Sequence, residues 1–421
     1  MAISRRQFIT LTGAATLSLA SGHAFGQPSK GRVVVIGGGF GGATAARYIR
    51  KLDPAIEVTL LEPNPHYITC PMGNAVMAGF VDLKSITHGY GGLRDQHGVM
   101  VIHDLAVDID PVAKKVRLQG GDTLAYDRLV VSPGIDFRWH EIDGYDQTTS
   151  ELMPHAWKAG NQIQLLKKQL HAMPDGGVAV VSVPKWPFRC PPGPYERASL
   201  MAYYLKQHKP RCKILIMDSN PEFPKAHLFK RGWEEMYPGM VEWISSERGG
   251  GVVQVRAGEG VLINGDGEAT RADVASVIPP QQAAKIAQIA DLVDSSGWCP
   301  ITPTTFESTR HADIHVIGDS AIAKPMPKSG FAANSQAKVV ALAIVAYFNG
   351  EAPGKPSLIN TCFSFIAPDH AVSISGVYRL GEQGLEGVRG SGGKTFFSGD
   401  VAAEARIAKS WYKNIIADTF G

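Results

Sequence analysis

Five cysteines, Cys70, Cys190, Cys212, Cys299 and Cys362, are the residues whose chemistry depends most on where the chain places them. None belongs to a Cys-x-x-Cys pair, so neither a zinc site nor a thioredoxin-type motif is indicated. Cys190 has the most informative surroundings. Gly177-Val178-Ala179-Val180-Val181-Ser182-Val183 reads as a buried strand, of the kind that normally runs into a glycine-rich, phosphate-binding turn. Here the chain continues Pro184-Lys185-Trp186-Pro187-Phe188-Arg189-Cys190-Pro191-Pro192-Gly193-Pro194. Proline offers a phosphate no N–H, and the bulky side chains fill the approach. A cysteine stands where a pyridine dinucleotide would be held. That points to thiol or disulfide redox chemistry, with electrons leaving to something other than NAD(P). An odd number of cysteines leaves at least one as a free thiol or as a covalent link to a cofactor.

The elements around a first nucleotide site are complete. Arg32-Val33-Val34-Val35-Ile36 is a continuous apolar strand, followed by Gly37-Gly38-Gly39-Phe40-Gly41-Gly42 and a helix from Ala43 to Leu52. Gly37, Gly39 and Gly42 therefore form G-x-G-x-x-G in a strand–turn–helix context. A second strand, 57–61, ends in Glu62, twenty residues after Gly42, where an acid binds the hydroxyls of an adenosine ribose. Further on, His315-Val316-Ile317-Gly318-Asp319 is a strand ending in Gly-Asp, ahead of a helix over 331–348. Flavoproteins with two dinucleotide sites use such an aspartate to hold the ribityl chain of FAD, and Tyr126 to Gly134 resembles the strand and turn that close their FAD domain. A helix cap is the plainer role for Asp319. FAD is the expected cofactor.

With these elements placed, the chain resembles the flavoprotein subunit of flavocytochrome c sulfide dehydrogenase, and more distantly sulfide:quinone oxidoreductases. The resemblance rests on Thr69-Cys70-Pro71-Met72-Gly73, the Pro-rich Cys190 loop, Gly318-Asp319 with Pro325-Met326-Pro327-Lys328-Ser329-Gly330, Thr361-Cys362-Phe363 and the closing stretch from Trp411 to Gly421. It implies a covalent 8α-S-cysteinyl FAD at Cys70. It also implies a redox disulfide between Cys190 and Cys362, 172 positions apart, facing the flavin. Hydrosulfide would attack one sulfur of that bridge and release a thiolate, Cys362, whose electrons pass into the ring as a persulfide forms. Glu196 matches an acidic position of the family and would move protons; a glutamate favoured by the helix dipole is the alternative. Trp411 resembles an aromatic packed near the flavin, or else anchors the last helix. Lys328 and Ser329 are candidate contacts to the ring. Cys212 and Cys299 receive no chemistry, and the 13 histidines show no metal spacing.

Composition agrees with an ordinary globular protein: 421 residues, 44% hydrophobic and 19% charged, with net charge +3 and no basic block, which argues against nucleic acid. Ser4-Arg5-Arg6-Gln7-Phe8-Ile9, an apolar run to Ala20 and small residues at 24–26 read as a twin-arginine export signal over 1–26, implying a periplasmic protein. No other stretch approaches the roughly 20 apolar residues needed to span a bilayer. The expected fold is α/β, with two Rossmann-like doubly wound domains in a glutathione-reductase-like arrangement and a C-terminal α+β domain. The FAD domain would be discontinuous (31–144 and 280–349), the second Rossmann-like domain would cover 145–279 with a helix over 151–171, and 350–421 would form the C-terminal sheet and helix. The leading function is a sulfide dehydrogenase passing electrons to a haem; lacking Cys-x-x-Cys-His, the chain needs a partner c-type cytochrome. A sulfide:quinone reductase and a non-catalytic accessory flavoprotein of a sulfur-oxidising complex are the alternatives.

Overall fold

The computed structural model describes residues 29–395 and 399–421; the expected export signal lies outside them. Its first sheet has seven strands, in the order 301–302, 307–308, 314–316, 128–131, 31–36, 56–61, 100–102. From Ile314–Val316 to Met100–Ile102 neighbouring strands are parallel, and the two short edge strands are antiparallel. Val33, Val34, Val35 and Ile36 are all buried, as expected of a strand covered on both faces. The helix Phe40–Leu52 covers one face, packed against the long helix Gly330–Phe348.

A second, four-stranded sheet is wholly parallel, in the order 241–244, 213–218, 178–183, 274–277. The helix Gly193–His208 follows the strand Val178–Val183 after the proline-rich loop. A third sheet is antiparallel and pairs Ser357–Ala367 with His370–Gly381, setting Cys362 opposite Ile374. The helix Val401–Phe420 closes it, capped by the Asp400 carboxylate, which accepts from the N–H groups of Ala402 and Ala403.

Two expectations are corrected. The helix placed over 151–171 is a short turn at Thr149–Glu151 and a helix at Asn161–Ala172. Pro154 and Gly160 break the intervening stretch, whose Met153, His155, Ala156 and Trp157 are buried without being helical. Secondly, Gly330–Phe348 is long and apolar enough, by length and composition, to cross a membrane. Half of that stretch is buried inside the fold, where Ala332, Ala337, Val340, Ala341 and Ile344 pack into the core.

Candidate active site

A groove of about 800 Å³ runs along the carboxyl ends of the first sheet. The turn after its first strand is shaped for a phosphate. Gly37 adopts φ +96°, open to glycine but costly for other residues. A Cβ on Gly42 would strike the Gly37 carbonyl, so the helix approaches the strand only because that side chain is absent. Gly39 precedes the first helical turn, leaving backbone N–H groups directed at the groove. Glu62 directly follows the second strand; its Oε2 accepts from the Gly38 N–H at 2.9 Å and its Oε1 from Asn64 Nδ2 at 2.9 Å. At the groove's other end Asp319 has a fully buried Oδ1 without a partner among the described residues. Burial pushes the Asp319 carboxyl above its ordinary range, partly offset by Arg189. An acceptor in this condition suits a hydroxyl donor. The glycine turn, the Glu62 carboxylate in the groove and the unpartnered aspartate together fit a dinucleotide with a polyol chain.

A smaller cavity of about 100 Å³ adjoins the groove, and Cys70, Cys190, Cys362, Glu196, Trp157 and Trp411 are on its walls. Cys70, Pro71, Ala159, Arg189, Ser329 and Gly330 border both spaces. The chain thus brings three of its five sulfurs to one chamber. Cys190 is held by its backbone: its N–H donates to the Lys328 carbonyl at 2.8 Å, its carbonyl accepts from the Gly193 N–H at 2.8 Å, and its φ is +55°. Cys362 projects from the strand Ser357–Ala367, its Sγ 3.4 Å from Asn360 Nδ2. Asn360 is in turn fixed by the Ser329 hydroxyl, which donates to its Oδ1 at 2.6 Å. The expected bridge is not formed in this structure, where all five cysteines are free. Burial, with the neighbouring Cys362 next, pushes the Cys190 thiol strongly up. Cys212 and Cys299 are buried elsewhere.

Glu196 is in the first turn of Gly193–His208 and faces the cavity. Its Oε2 accepts from Asn74 Nδ2 at 2.8 Å and its Oε1 from the Phe365 N–H at 2.8 Å. Burial raises its carboxyl above the ordinary range despite both donors. The Trp411 ring is 6.0 Å from that of Phe331 and 5.6 Å from that of Phe363, so it both lines the chamber and anchors the last helix. Lys328 is not among the residues that line either cavity. Its ammonium donates to the Asp319 and Ala321 carbonyls at 2.7 and 2.9 Å and lies over the Trp298 ring, while Ser329 beside it lines both spaces.

Three cations were missed by the sequence reading. Arg189 stands between groove and chamber, donates to the Trp157 carbonyl and has Nη1 3.9 Å from Asp319 Oδ2. Arg197 is buried, donates to the His155 carbonyl at 2.8 Å and Ser276 Oγ at 2.7 Å, and is held down to about 10 by burial. Lys225 is 2% exposed. The two arginines neighbour Cys190 and Glu196 in sequence, which is the one signal that could have flagged them.

Residues 31–178 match a family model described as pyridine nucleotide-disulphide oxidoreductase. Residues 163–279 match the central part of the sulfide dehydrogenase (flavocytochrome c) flavoprotein chain, and 354–420 the flavin-binding part of flavocytochrome c sulphide dehydrogenase. Among curated relatives, the sulfide dehydrogenase (flavocytochrome c) flavoprotein chain of Chlorobaculum thiosulfatiphilum is 67% identical over 45 residues, 11% of this chain and 94% of that sequence. Mitochondrial sulfide:quinone oxidoreductase of Dictyostelium discoideum is 22% identical, over 73% of this chain and 69% of its own. In fold, the chain is similar to the sulfide:quinone oxidoreductase of Aquifex aeolicus, with TM-score 0.71, 19% identity and 92% of each chain covered. It is also similar to a ferredoxin reductase from Rhodopseudomonas palustris, with TM-score 0.62, 17% identity and 82% of each chain covered. A disulfide-oxidoreductase fold carrying both of these matched segments and that close relative has one reading: the chain belongs to the family of flavocytochrome c sulfide dehydrogenase flavoprotein chains.

Proposed function

We propose that the chain is the FAD-containing subunit of a periplasmic sulfide dehydrogenase, oxidising sulfide to sulfur or polysulfide and passing electrons to a c-type cytochrome subunit. The observation that carries this reading is the meeting of Cys70, Cys190 and Cys362 on one chamber bordering the dinucleotide groove. In this reading the turn 37–42 holds the pyrophosphate, Glu62 the adenosine ribose and Asp319 the ribityl hydroxyls. Cys70 links the flavin covalently, as its place on both cavity walls permits. When bound, FAD supplies a two-electron acceptor able to release its electrons one at a time.

The rest is done by the chain's own residues. In the oxidised protein Cys190 and Cys362 are bridged, and the bridge is the electrophile for hydrosulfide. Attack at Cys190 forms a persulfide there and frees Cys362 as a thiolate. Glu196, held by Asn74 and the Phe365 N–H, exchanges the proton of entering hydrogen sulfide. Trp157 and Trp411 wall the chamber against water.

The test is an anaerobic sulfide titration of the flavin-loaded chain. Sulfide is expected to bleach the flavin absorbance of the wild type and to leave Cys190→Ser and Cys362→Ser unchanged, with flavin retained on a Cys70 peptide after acid precipitation. A wild type indifferent to sulfide but bleached by NADH would overturn the reading. A quinone acceptor is the second reading, favoured by the likeness to sulfide:quinone oxidoreductases over most of the chain.

A further inference from the structure

Lys225 is a buried cation for which the chemistry above finds no use. It is 2% exposed and stands at φ +63° ahead of the helix Ala226–Met236. Its ammonium donates to Ser364 Oγ at 2.8 Å and to the Val372 carbonyl at 3.3 Å, both neutral acceptors. No carboxylate pairs with it among the described residues. An ammonium taken out of water without a counter-charge is costly, so a negative group nearby is the usual reason to keep one. Ser364 lies two residues beyond Cys362 on the strand Ser357–Ala367, so the two side chains share a face. Val372 is the cross-strand partner of Ser364, and Ile374 that of Cys362.

We infer that Lys225 is the positive charge that balances Cys362 when its sulfur becomes an anion, and so decides which cysteine leaves and which keeps the incoming sulfur. This rests on the sulfide-oxidising reading of the chamber. The step balances without an added oxidant or proton. Hydrosulfide forms a bond to the Cys190 sulfur, the Cys190–Cys362 bond breaks, and the electron pair with its negative charge departs on Cys362. Further facts agree. Burial holds the Lys225 ammonium down to about 8, and the acidic groups acting against that are, in order, Cys362, Glu196, Cys190 and Glu404. Glu196 already accepts two hydrogen bonds from other donors, and Glu404 accepts from Ser373 and Thr395. Tyr378, on the strand facing Cys362, is pushed up by burial and then by that cysteine. Cys190, meanwhile, is held by burial against carrying charge.

The test uses the flavin-loaded protein reduced by dithiothreitol without sulfide, alkylated with iodoacetamide at pH 7 and read peptide by peptide in a mass spectrometer. Cys362 is expected to react faster than Cys190. Lys225→Met should slow Cys362 about tenfold or more while Lys225→Arg keeps most of the rate, because a thiolate is the reacting form. Ser364→Ala removes one hydrogen bond and leaves the charge, so it should leave Cys362 near the wild-type rate. Equal Cys362 rates in wild type and Lys225→Met, or an equal loss in Lys225→Met and Ser364→Ala, would overturn the inference. Should Lys225→Met lose its flavin or fail to fold, the arginine and Ser364→Ala variants carry the test: loss of the Cys362 rate in the arginine variant equally refutes it. Since no sulfide is used, failure here is distinct from failure of the sulfide titration.

Discussion

At the scale of single residues, the site sets an acid where it would not ionise readily. Glu196 is raised by burial above its ordinary value of 4.5. The folded protein therefore binds this proton more tightly than the unfolded chain does. Its contribution to stability is complete below about pH 4.5 and is lost as pH rises through the folded value. Glu196→Gln cannot lose it. The unfolding free energy of the variant relative to wild type should increase as pH rises above about 4.5 in urea titrations; a difference independent of pH would refute the assignment. The residues that could be found from the sequence are those whose role is set by the backbone beside them. Cys190 was legible because prolines replace the phosphate turn around it, and Gly37 and Gly42 because only glycine serves there. Arg189, Arg197 and Lys225 were not. A long cationic side chain declares nothing about its destination until the tertiary fold supplies the carbonyls it meets.

Among elements, the first strand–turn–helix unit is the least tolerant of change. A methyl group on Gly42 would be forced against the Gly37 carbonyl, and the helix Phe40–Leu52 would have to move off the strand. Gly42→Ala is expected to lose most of its bound flavin and about 1–3 kcal/mol of stability, the range for overpacking a filled site. Flavin content per chain and thermal melting would check this, and a fully loaded variant would count against it. Most strands and helices were readable from apolar runs punctuated by glycine and proline, because both signals are local. The stretch 152–160 was not, since its periodic apolar residues read as helix. In the fold those residues are buried as irregular backbone, and the carbonyls of His155, Ala156 and Trp157 receive Arg197 and Arg189. Backbone with its carbonyls already engaged has no need of a helix.

For the molecule as a whole, three parts of the fold each send one cysteine-bearing segment to the chamber: Cys70 after the short strand His66–Ile68 that pairs with Thr87–Gly89, Cys190 after the first strand of the second sheet, and Cys362 from the third sheet. The C-terminal helix locks them together. Asp418 pairs with Lys338 at 2.7 Å and accepts from Tyr48 and Asn334, tying that helix to the two that cover the first sheet. On the proposed reading the electrons then leave to a partner. Affinity purification of the chain from its native cells should bring down a c-type cytochrome whose haem is reduced on adding sulfide. Recovery without haem, with turnover only on added quinone in detergent, would favour the second reading.

The smallness of the inner chamber has a consequence for what can act as a reductant. A space of about 100 Å³ holds only a few water-sized molecules at a time, so the sulfur bridge proposed there would be reached faster by a small nucleophile than by a bulky one. A tripeptide thiol or the exposed cysteine of another protein would reach it far more slowly than hydrosulfide. Such a bridge would outlast the bulky thiols of its surroundings and be discharged most readily by the small species it is proposed to consume.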